Sequence, residues 1–438
     1  MLQDGTLTHA FGHPCPGVHV TDAVVIGAGL AGLTTAYELR RRGWEVTVVD
    51  SEREVAAGAS HANGSLLVPS MAEPWNTPGV HRHLAGSLFR TDSPLRLWPS
   101  AIPSLLGWGL RFLRHATPAR SRAATEANFI LGRYSLQCTD EMRAQLDHRD
   151  DTAGHGLIRI FRDPAGMRTA LEGIDRLRPL GLRAETLDAR DAVRLEPALE
   201  GIRDRIAGAV LYPDDQRGDA RRFCLALASA FTREGGRLRL DTPVARIDVE
   251  GGRSQGVRLR DGRIAATAVV VSAGVRSPDV ARTAGVHLPI APAKGYTVTL
   301  PMPAGLPMPT IPVSDDALHA GVVPVSGGLR LAGTAEFAGH DSRLDPHRIA
   351  QLLQVLEAIY PQIALRIDRS RVASWTGLRP VSADGVPLVG GTRIGGLYVN
   401  AGHGPLGWTL AAGSARLLAD LMCGTQPAID ATPYRVHR

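Results

Sequence analysis

The stretch from Asp22 to Asp50, DAVVIGAGLAGLTTAYELRRRGWEVTVVD, leaves the chain little choice of fold. The apolar run AVVI reads as a buried strand. Gly27, Gly29 and Gly32 follow in a G-x-G-x-x-G spacing. Leu30, Leu33, Ala36, Tyr37 and Leu39 then keep a helical period that ends at the arginines before Gly43, a good helix stop. WEVTVVD is a second strand, so the whole reads as one βαβ unit. The glycines permit a tight turn, a close approach of pyrophosphate to backbone, and packing of helix on strand. The helix N-terminus offers N–H groups and positive dipole to phosphate. Asp50, with Ser51 after it, ends the second strand where an acid can bond ribose hydroxyls. The unit alone does not decide between NAD and FAD.

The remaining length needs further structure. A chain of 438 residues is too long for one compact core and implies two domains. Helices are expected over much of 81–150, at 164–176, 219–234 and 345–359, and strands at 156–162, 205–212, 237–248, 255–260 and 264–272. Strands and Pro-rich turns are expected over 288–335. Near the C-terminus a strand, GLYVN, runs through a Gly-rich turn into the helix WTLAAGSARLLADLM.

Charge and composition exclude some functions. The net charge of +6 is dispersed, and aromatics make up 5% of residues. A nucleic-acid surface would cluster its charge and interleave aromatics, so no nucleic-acid partner is expected. Mild attraction to anionic ligands or an anionic membrane surface remains open. Cys15, Cys138, Cys224 and Cys423 form no CxxC pair, so neither a zinc site nor a disulfide framework is expected, and a reducing cytoplasmic setting follows. Residues 1–20 have no apolar core and are not expected to be a signal peptide. No run of 18 apolar residues suggests a membrane span.

The later Gly-rich segments narrow the reading. VVVSAGVRS at 269–277 and AGHGPLGWTLAAGSARLLADL at 401–421 resemble the later FAD-contacting segments of the D-amino acid oxidase superfamily. GASHANGSLLVPSMAEPWNTPGV, EPAL at 196–199, KGY at 294–296 and SWTGLRPVSADGVPLVG at 374–390 stand in order with them. Together they resemble the small-subunit-type D-amino acid dehydrogenases over nearly the whole chain from about residue 20.

The resemblance implies an α/β protein with a Rossmann-like FAD-binding domain and a second α+β substrate domain built on an antiparallel sheet. The expected division is an N-terminal extension at 1–19, FAD-binding segments 20–80, 200–286 and 372–438, and substrate segments 81–199 and 287–371. It implies non-covalent FAD, held by Gly27, Gly29, Gly32, Asp50, Ser51, Ser60, His61, Asn63, Val244, Gly274, Gly402, His403, Gly404, Gly407, Trp408 and Thr409. His61 stands where an aromatic is expected, and a His in this region attaches FAD covalently in some related dehydrogenases. His403 either contacts the flavin or satisfies a turn. Trp375 is expected in the core.

Arg379, in the W-x-G-x-R-P segment, is expected to pair with the substrate carboxylate, a task suited to a planar fork that stays charged. Tyr296 and Lys294 are placed beside it. Lys294 is the only lysine among 49 basic residues, which is either an accident of composition or the mark of a pocket too tight for a guanidinium. The implied reaction is oxidative deamination of a D-amino acid to a 2-oxo acid and ammonia. Hydride passes from Cα to flavin N5, and the electrons pass on to a quinone or an electron-transfer chain. No metal is required. The expected location is cytoplasmic, with a peripheral contact to the inner face of the cell membrane or to a partner subunit as a further possibility. Oxidation of a secondary or cyclic amine, such as a D-hydroxyproline, D-proline, sarcosine or glycine type, is the rival within this enzyme class. A flavin-binding partner subunit without a site of its own is the rival outside it.

Overall fold

A computed structural model describes residues 21–87, 93–146, 154–303 and 305–438. The expected extension at 1–19 lies outside these residues. In chain order, the elements that shape the site begin with β1 (Asp22–Ile26), α1 (Leu30–Arg41), β2 (Glu45–Val49) and β3 (Leu66–Leu67). They continue with α2 (Ile102–His115), α3 (Pro118–Gln145), β4 (Gly154–Phe161), β5 (Gly208–Arg217), β6 (Arg237–Arg239) and β7 (Ala268–Val271). The last group is β8 (Ile290–Pro301), β9 (Val313–Asp315), β10 (Ala320–Val325), β11 (Gly328–Phe337), α4 (Pro346–Ile359), β12 (Ala373–Ser382), β13 (Leu388–Gly391), β14 (Leu397–Ala401) and α5 (Gly407–Cys423).

Two sheets divide the work. The first has six strands in the order β13-β14-β7-β1-β2-β6, all parallel except the β13–β14 pair. The apolar runs AVVI of β1 and AVVV of β7 pair in register, Val24 with Val269 and Ile26 with Val271. Helices α1 and α5 pack together on one face of this sheet, with α3 against α5, and on the other face Val24, Ile26, Val269 and Val271 meet Ile247, Val257 and Leu259, so β1 and β7 are covered on both faces, as parallel strands require. The second sheet has ten strands. Its main path runs β12-β8-β11-β10-β9-β4-β5-β3, with Leu95–Leu97 paired to β11 and Glu185–Leu187 to β5. Most of its pairs are antiparallel, β9–β4 and the Leu95–Leu97 pair being parallel. Helix α4 starts with Pro346 after an Asp345 cap and covers β8, β10 and β11. A separate three-stranded sheet comprises Val244–Glu250, Arg253–Leu259 and Gly262–Ala265.

The strand pairing differs from the expected segment boundaries at three places. Segments 20–80, 200–286 and 372–438 were assigned to the first unit, but β3, β5 and β12 all pair in the second sheet. Each leaves the first unit as an extended crossing strand, so backbone hydrogen bonding rather than sequence neighbourhood sets its sheet. Cys423 is disulfide-bonded, against the expectation of a chain without disulfides, while Cys138 and Cys224 are free and buried. Among the described residues no helix is long and apolar enough to cross a membrane.

Candidate functional site

The turn between β1 and α1 is built around two glycines that tolerate no side chain. Gly27 has φ of +117°, and a Cβ there would lie 2.3 Å from Ser272 O. A Cβ on Gly32 would lie 1.8 Å from Gly27 O, so Gly32 serves the packing of α1 on the turn. Gly29 faces open space apart from Ser60 Oγ. That hydroxyl accepts from Leu30 N at 3.2 Å. Asp50 is tied to the same turn: its Oδ2 accepts from Ala28 N at 2.6 Å and its Oδ1 from Glu52 N at 2.9 Å.

The turn opens into one cavity of about 1330 Å³. Gly27, Gly29, Asp50, Ser51, Ser60, Asn63, Val244 and Gly274 line it at one end. His403, Gly404, Gly407 and Trp408 line it where α5 begins, and Arg379 lines it under the second sheet. The imidazole of His403 is buried and 3.0 Å from Ser414 Oγ. Burial pushes its pKa down to about 4, so it is neutral near pH 7 and leaves the start of α5 free of a competing cation.

Strand β12 delivers Arg379. Its guanidinium lies across Gly295 of β8, where a Cβ would fall 2.1 Å from Nη1. Nη1 donates to Thr334 O at 3.4 Å, and Cζ sits 5.7 Å from the centre of the Trp75 ring. Among the described residues no carboxylate pairs with it, and desolvation alone lowers its pKa to about 10. It stays charged at neutral pH and carries an unneutralised positive charge into the cavity.

Six expected residues do not line this cavity. Gly32 packs beneath the turn, and Gly402, at φ +84°, packs on Ile290 and Ser382. Thr409 Oγ1 accepts from Val68 N at 2.9 Å, fixing the segment after β3. His61 lies beside a separate shallow groove with Glu52, Arg53 and Asp241, its ring stacked on Trp375 at 6.2 Å. Lys294 and Tyr296 project from the opposite face of β8. Tyr296 donates from its OH to Glu336 Oε2 at 2.9 Å, and Arg348 Nε donates to Glu336 Oε1 at 2.7 Å. Lys294 Nζ is 3.8 Å from Asp341 and 5.3 Å from the Tyr296 ring centre. Alternation along a strand explains the miss: Gly295 and Thr297 take the cavity side, so their neighbours cannot.

Other lining residues escaped the sequence reading. Trp375 lines the cavity, half-buried, rather than sitting in the core. Trp75, Ser70, Tyr212, His319 and Ser272 line it too. Trp75 and Ser70 lie in the segment 58–80 already singled out, which has no helical or strand period to show which side chains turn inward. Ser70 donates from Oγ to Asp215 Oδ2 at 2.5 Å and from its N to Oδ1 at 3.3 Å. Asp215 is buried, and that burial raises its carboxyl to about 7.

The comparisons with known proteins fit this arrangement. The profile of the FAD dependent oxidoreductase family matches residues 22–421. The chain belongs to this family. It is 37% identical over 408 residues to the D-amino acid dehydrogenase of Paramagnetospirillum magneticum, covering 93% of this chain and 96% of that protein. It is 37% identical over 415 residues to the D-amino acid dehydrogenase of Cereibacter sphaeroides, covering 95% and 94%. Among solved structures, glycine oxidase from Geobacillus kaustophilus superposes with a TM-score of 0.73 at 24% identity, covering 96% and 99% of the two chains. L-proline dehydrogenase from P. horikoshii gives 0.75 at 19%, covering 96% and 98%. These two likenesses establish the shared fold.

The residues present fit FAD. The turn at Gly27–Leu30 suits a pyrophosphate and the cavity is large enough for a dinucleotide beside a small substrate. Ser272 Oγ and Trp408 Nε1 are buried without a partner among the described residues, and both residues line the cavity. A polar ligand there would satisfy them.

Proposed function

We propose that this chain oxidises D-amino acids to imino acids, which water hydrolyses to 2-oxo acids and ammonia, and that its electrons pass to an acceptor other than oxygen. The observation that carries this reading is Arg379, a cavity-lining guanidinium without a carboxylate partner among the described residues. A substrate carboxylate supplies that missing anion, in a bidentate geometry that lysine does not offer. The D-amino acid class rests on the two dehydrogenases that share 37% of their residues with nearly the whole chain.

The chain's residues then act as positioners. Arg379 fixes the carboxylate while Trp75 bounds the guanidinium on one side. The substrate's Cα–H is thereby held toward the end of the cavity where α5 starts. Neutral His403 leaves the first N–H groups of α5 to meet negative charge. When bound, FAD would supply the electron sink, taking up the Cα hydrogen together with its two electrons as a hydride. Gly27, Gly29, Asp50, Ser51, Ser60, Asn63, Val244 and Gly274 would hold its dinucleotide half, and Gly404, Gly407 and Trp408 its ring. Its attachment is non-covalent, a reading supported by the position of His61 outside the cavity. The six-stranded sheet is assigned the FAD-binding role and the ten-stranded sheet the substrate role. The acceptor is a quinone or an electron-transfer chain.

The test is a panel of D- and L-amino acids and cyclic imino acids, offered to the purified yellow protein without oxygen and then with an artificial acceptor. Bleaching of the flavin by D-amino acids, followed by turnover with the acceptor, is the expected result. Bleaching only by glycine, sarcosine or a cyclic imino acid would move the protein to the rival substrate class.

A further inference from the structure

A carboxylate held in the interior without a cation beside it is costly. Asp215 is such a group. It is 2% exposed. Among the described residues no cation pairs with it, and both of its hydrogen bonds come from Ser70, Oγ to Oδ2 at 2.5 Å and N to Oδ1 at 3.3 Å. The strand bends to bring it there. β4 and β5 pair His155 with Gln216 and Leu157 with Tyr212. One residue of β4, Gly156 at φ +90°, thus spans the same stretch as Pro213, Asp214 and Asp215 of β5. Irregularities of this kind re-aim side chains and are frequent beside active sites.

Ser70 lines the cavity, so its hydroxyl joins the cavity to the carboxylate behind it. Its place along the wall is fixed from both sides. Shortly before it, Val68 N donates to Thr409 Oγ1 at the start of α5. Shortly after it, the Trp75 ring centre lies 5.7 Å from Arg379 Cζ. Ser70 therefore stands between the end of the cavity assigned to the flavin ring and the end that holds the substrate carboxylate. The amino group and Cα of a bound substrate belong in that interval.

An ammonium has no lone pair, so Cα releases hydride only after the nitrogen has lost a proton. We infer that Ser70 and Asp215 take up that proton. Ser70 Oγ accepts it from the substrate nitrogen while its own hydroxyl proton passes to Asp215 Oδ2. A neutral amine, a neutral carboxyl group and an unchanged serine result. The freed lone pair forms the C=N bond as the Cα hydrogen departs with its two electrons, and the carboxyl returns its proton to water between turnovers. This role rests on the amine-oxidising reading above. A tie that merely fixed the segment would be served by asparagine, without burying a charge.

The other charged groups nearby have other partners. Asp214 pairs with Arg183, and Arg217 crosses Gly154. From β4, Arg159 pairs with Asp316 and bonds Tyr212, whose hydroxyl burial pushes up to about 12. Glu73 Oε1 faces Arg176 Nη2 across Gly173. On α3, Arg143 and Asp140 hold the side chain of Gln216. Burial raises the Asp215 carboxyl to about 7, which suits proton exchange at neutral pH.

The experiment is the pH dependence of anaerobic flavin reduction by the amine that the panel identifies, followed by stopped flow on flavin-loaded wild type, Asp215→Asn and Ser70→Ala. The second-order rate of wild type should fall below about pH 7. Asp215→Asn should lose about a hundredfold near neutral pH. Its deficit should then narrow by about tenfold per pH unit toward about pH 9, as the amine sheds its proton unaided. The ratio of the two rates cancels the titration of Arg379, which both proteins share. Ser70→Ala should follow Asp215→Asn, and Ser70→Thr, which keeps the hydroxyl, should restore most of the rate. Infrared difference spectra should show a buried carboxyl band that vanishes around pH 7 in wild type and is missing from Asp215→Asn, whatever the substrate. A deficit that stays constant with pH would mean a structural tie and would overturn the role, as would an infrared band common to both proteins. A flavin bleached with parallel pH profiles in wild type and variants would overturn this role alone. A flavin that no amine bleaches would overturn the amine reading and this role with it.

Discussion

Replacing Arg379 by methionine should separate two consequences of one buried charge. A fall in pKa from the ordinary 12.5 to about 10 means that the cavity disfavours the charged form by about 3 kcal/mol. The substrate-free protein bears that cost, because no carboxylate pairs with the guanidinium among the described residues. Methionine keeps much of the length and apolar stem without the charge. The substrate-free Arg379→Met protein should therefore melt higher than wild type, by a few degrees. Catalysis should move the other way. Breaking a buried, hydrogen-bonded ion pair costs about 3–5 kcal/mol, so kcat/KM should fall by about two to four orders of magnitude. Arg379→Lys retains the charge but not the fork. It should lose about 2 kcal/mol, mostly as a raised KM, with no gain in melting temperature. Differential scanning of the flavin-loaded proteins and dye-linked kinetics give the two numbers. A Met variant that melts lower than wild type and keeps its kcat/KM would refute both the unpaired charge and its role.

The other predictions rest on separate residues. Gly27→Ala must place a Cβ against Ser272 O in a backbone conformation that alanine rarely adopts, and the purified variant should lack the yellow flavin absorbance. Lys294→Arg should lower the melting temperature, because Lys294 is 3% exposed and a larger head must enter the space beside Tyr296. Its KM should stay unchanged, and a raised KM would return this lysine to the site. Asp215 has a folded-state pKa of about 7 against an ordinary 3.8, so the unfolded chain ionises first as pH rises. Stability is then lost between about pH 4 and 7, by up to about 4 kcal/mol, and Asp215→Asn should raise the melting temperature at pH 8 but hardly at pH 4. Acid precipitation should release the flavin into solution, and colour retained by the precipitate would point to a covalent link.

The sequence was most legible where a period and a turn coincide. β1, α1 and β2 could be placed because AVVI, the three glycines and the helical spacing agree locally. Arg379 was legible as a residue but its strand was not. SWTGLRPVS contains Gly377 and Pro380, both unfavourable in a sheet interior. β12 tolerates Pro380 because it is the terminal strand of its sheet, with β8 as its neighbouring strand among the described residues. Lys294 and Tyr296 show the opposite failure. KGY stands in a strand that does border the cavity, but every residue of β8 except Thr299 and Pro301 is buried. With both faces buried, composition could not tell which side was the cavity side. Trp75 and Trp375 were hidden for another reason. Their positions depend on which distant strands meet, and β3, β5 and β12 cross between units without any local mark.

The strand order of the first sheet also bears on how the protein is made. β1 lies between β2, which follows at once, and β7, which begins at Ala268; the sheet then waits for β14 at Leu397. At about 5–20 residues per second, β7 leaves the ribosome roughly ten to fifty seconds after β1. Throughout that interval the nascent AVVI strand has an open edge and no lasting partner on one side. A chaperone that shields this edge during translation should raise the yield of folded protein, and truncation before Leu397 should leave an aggregating fragment rather than a smaller flavoprotein.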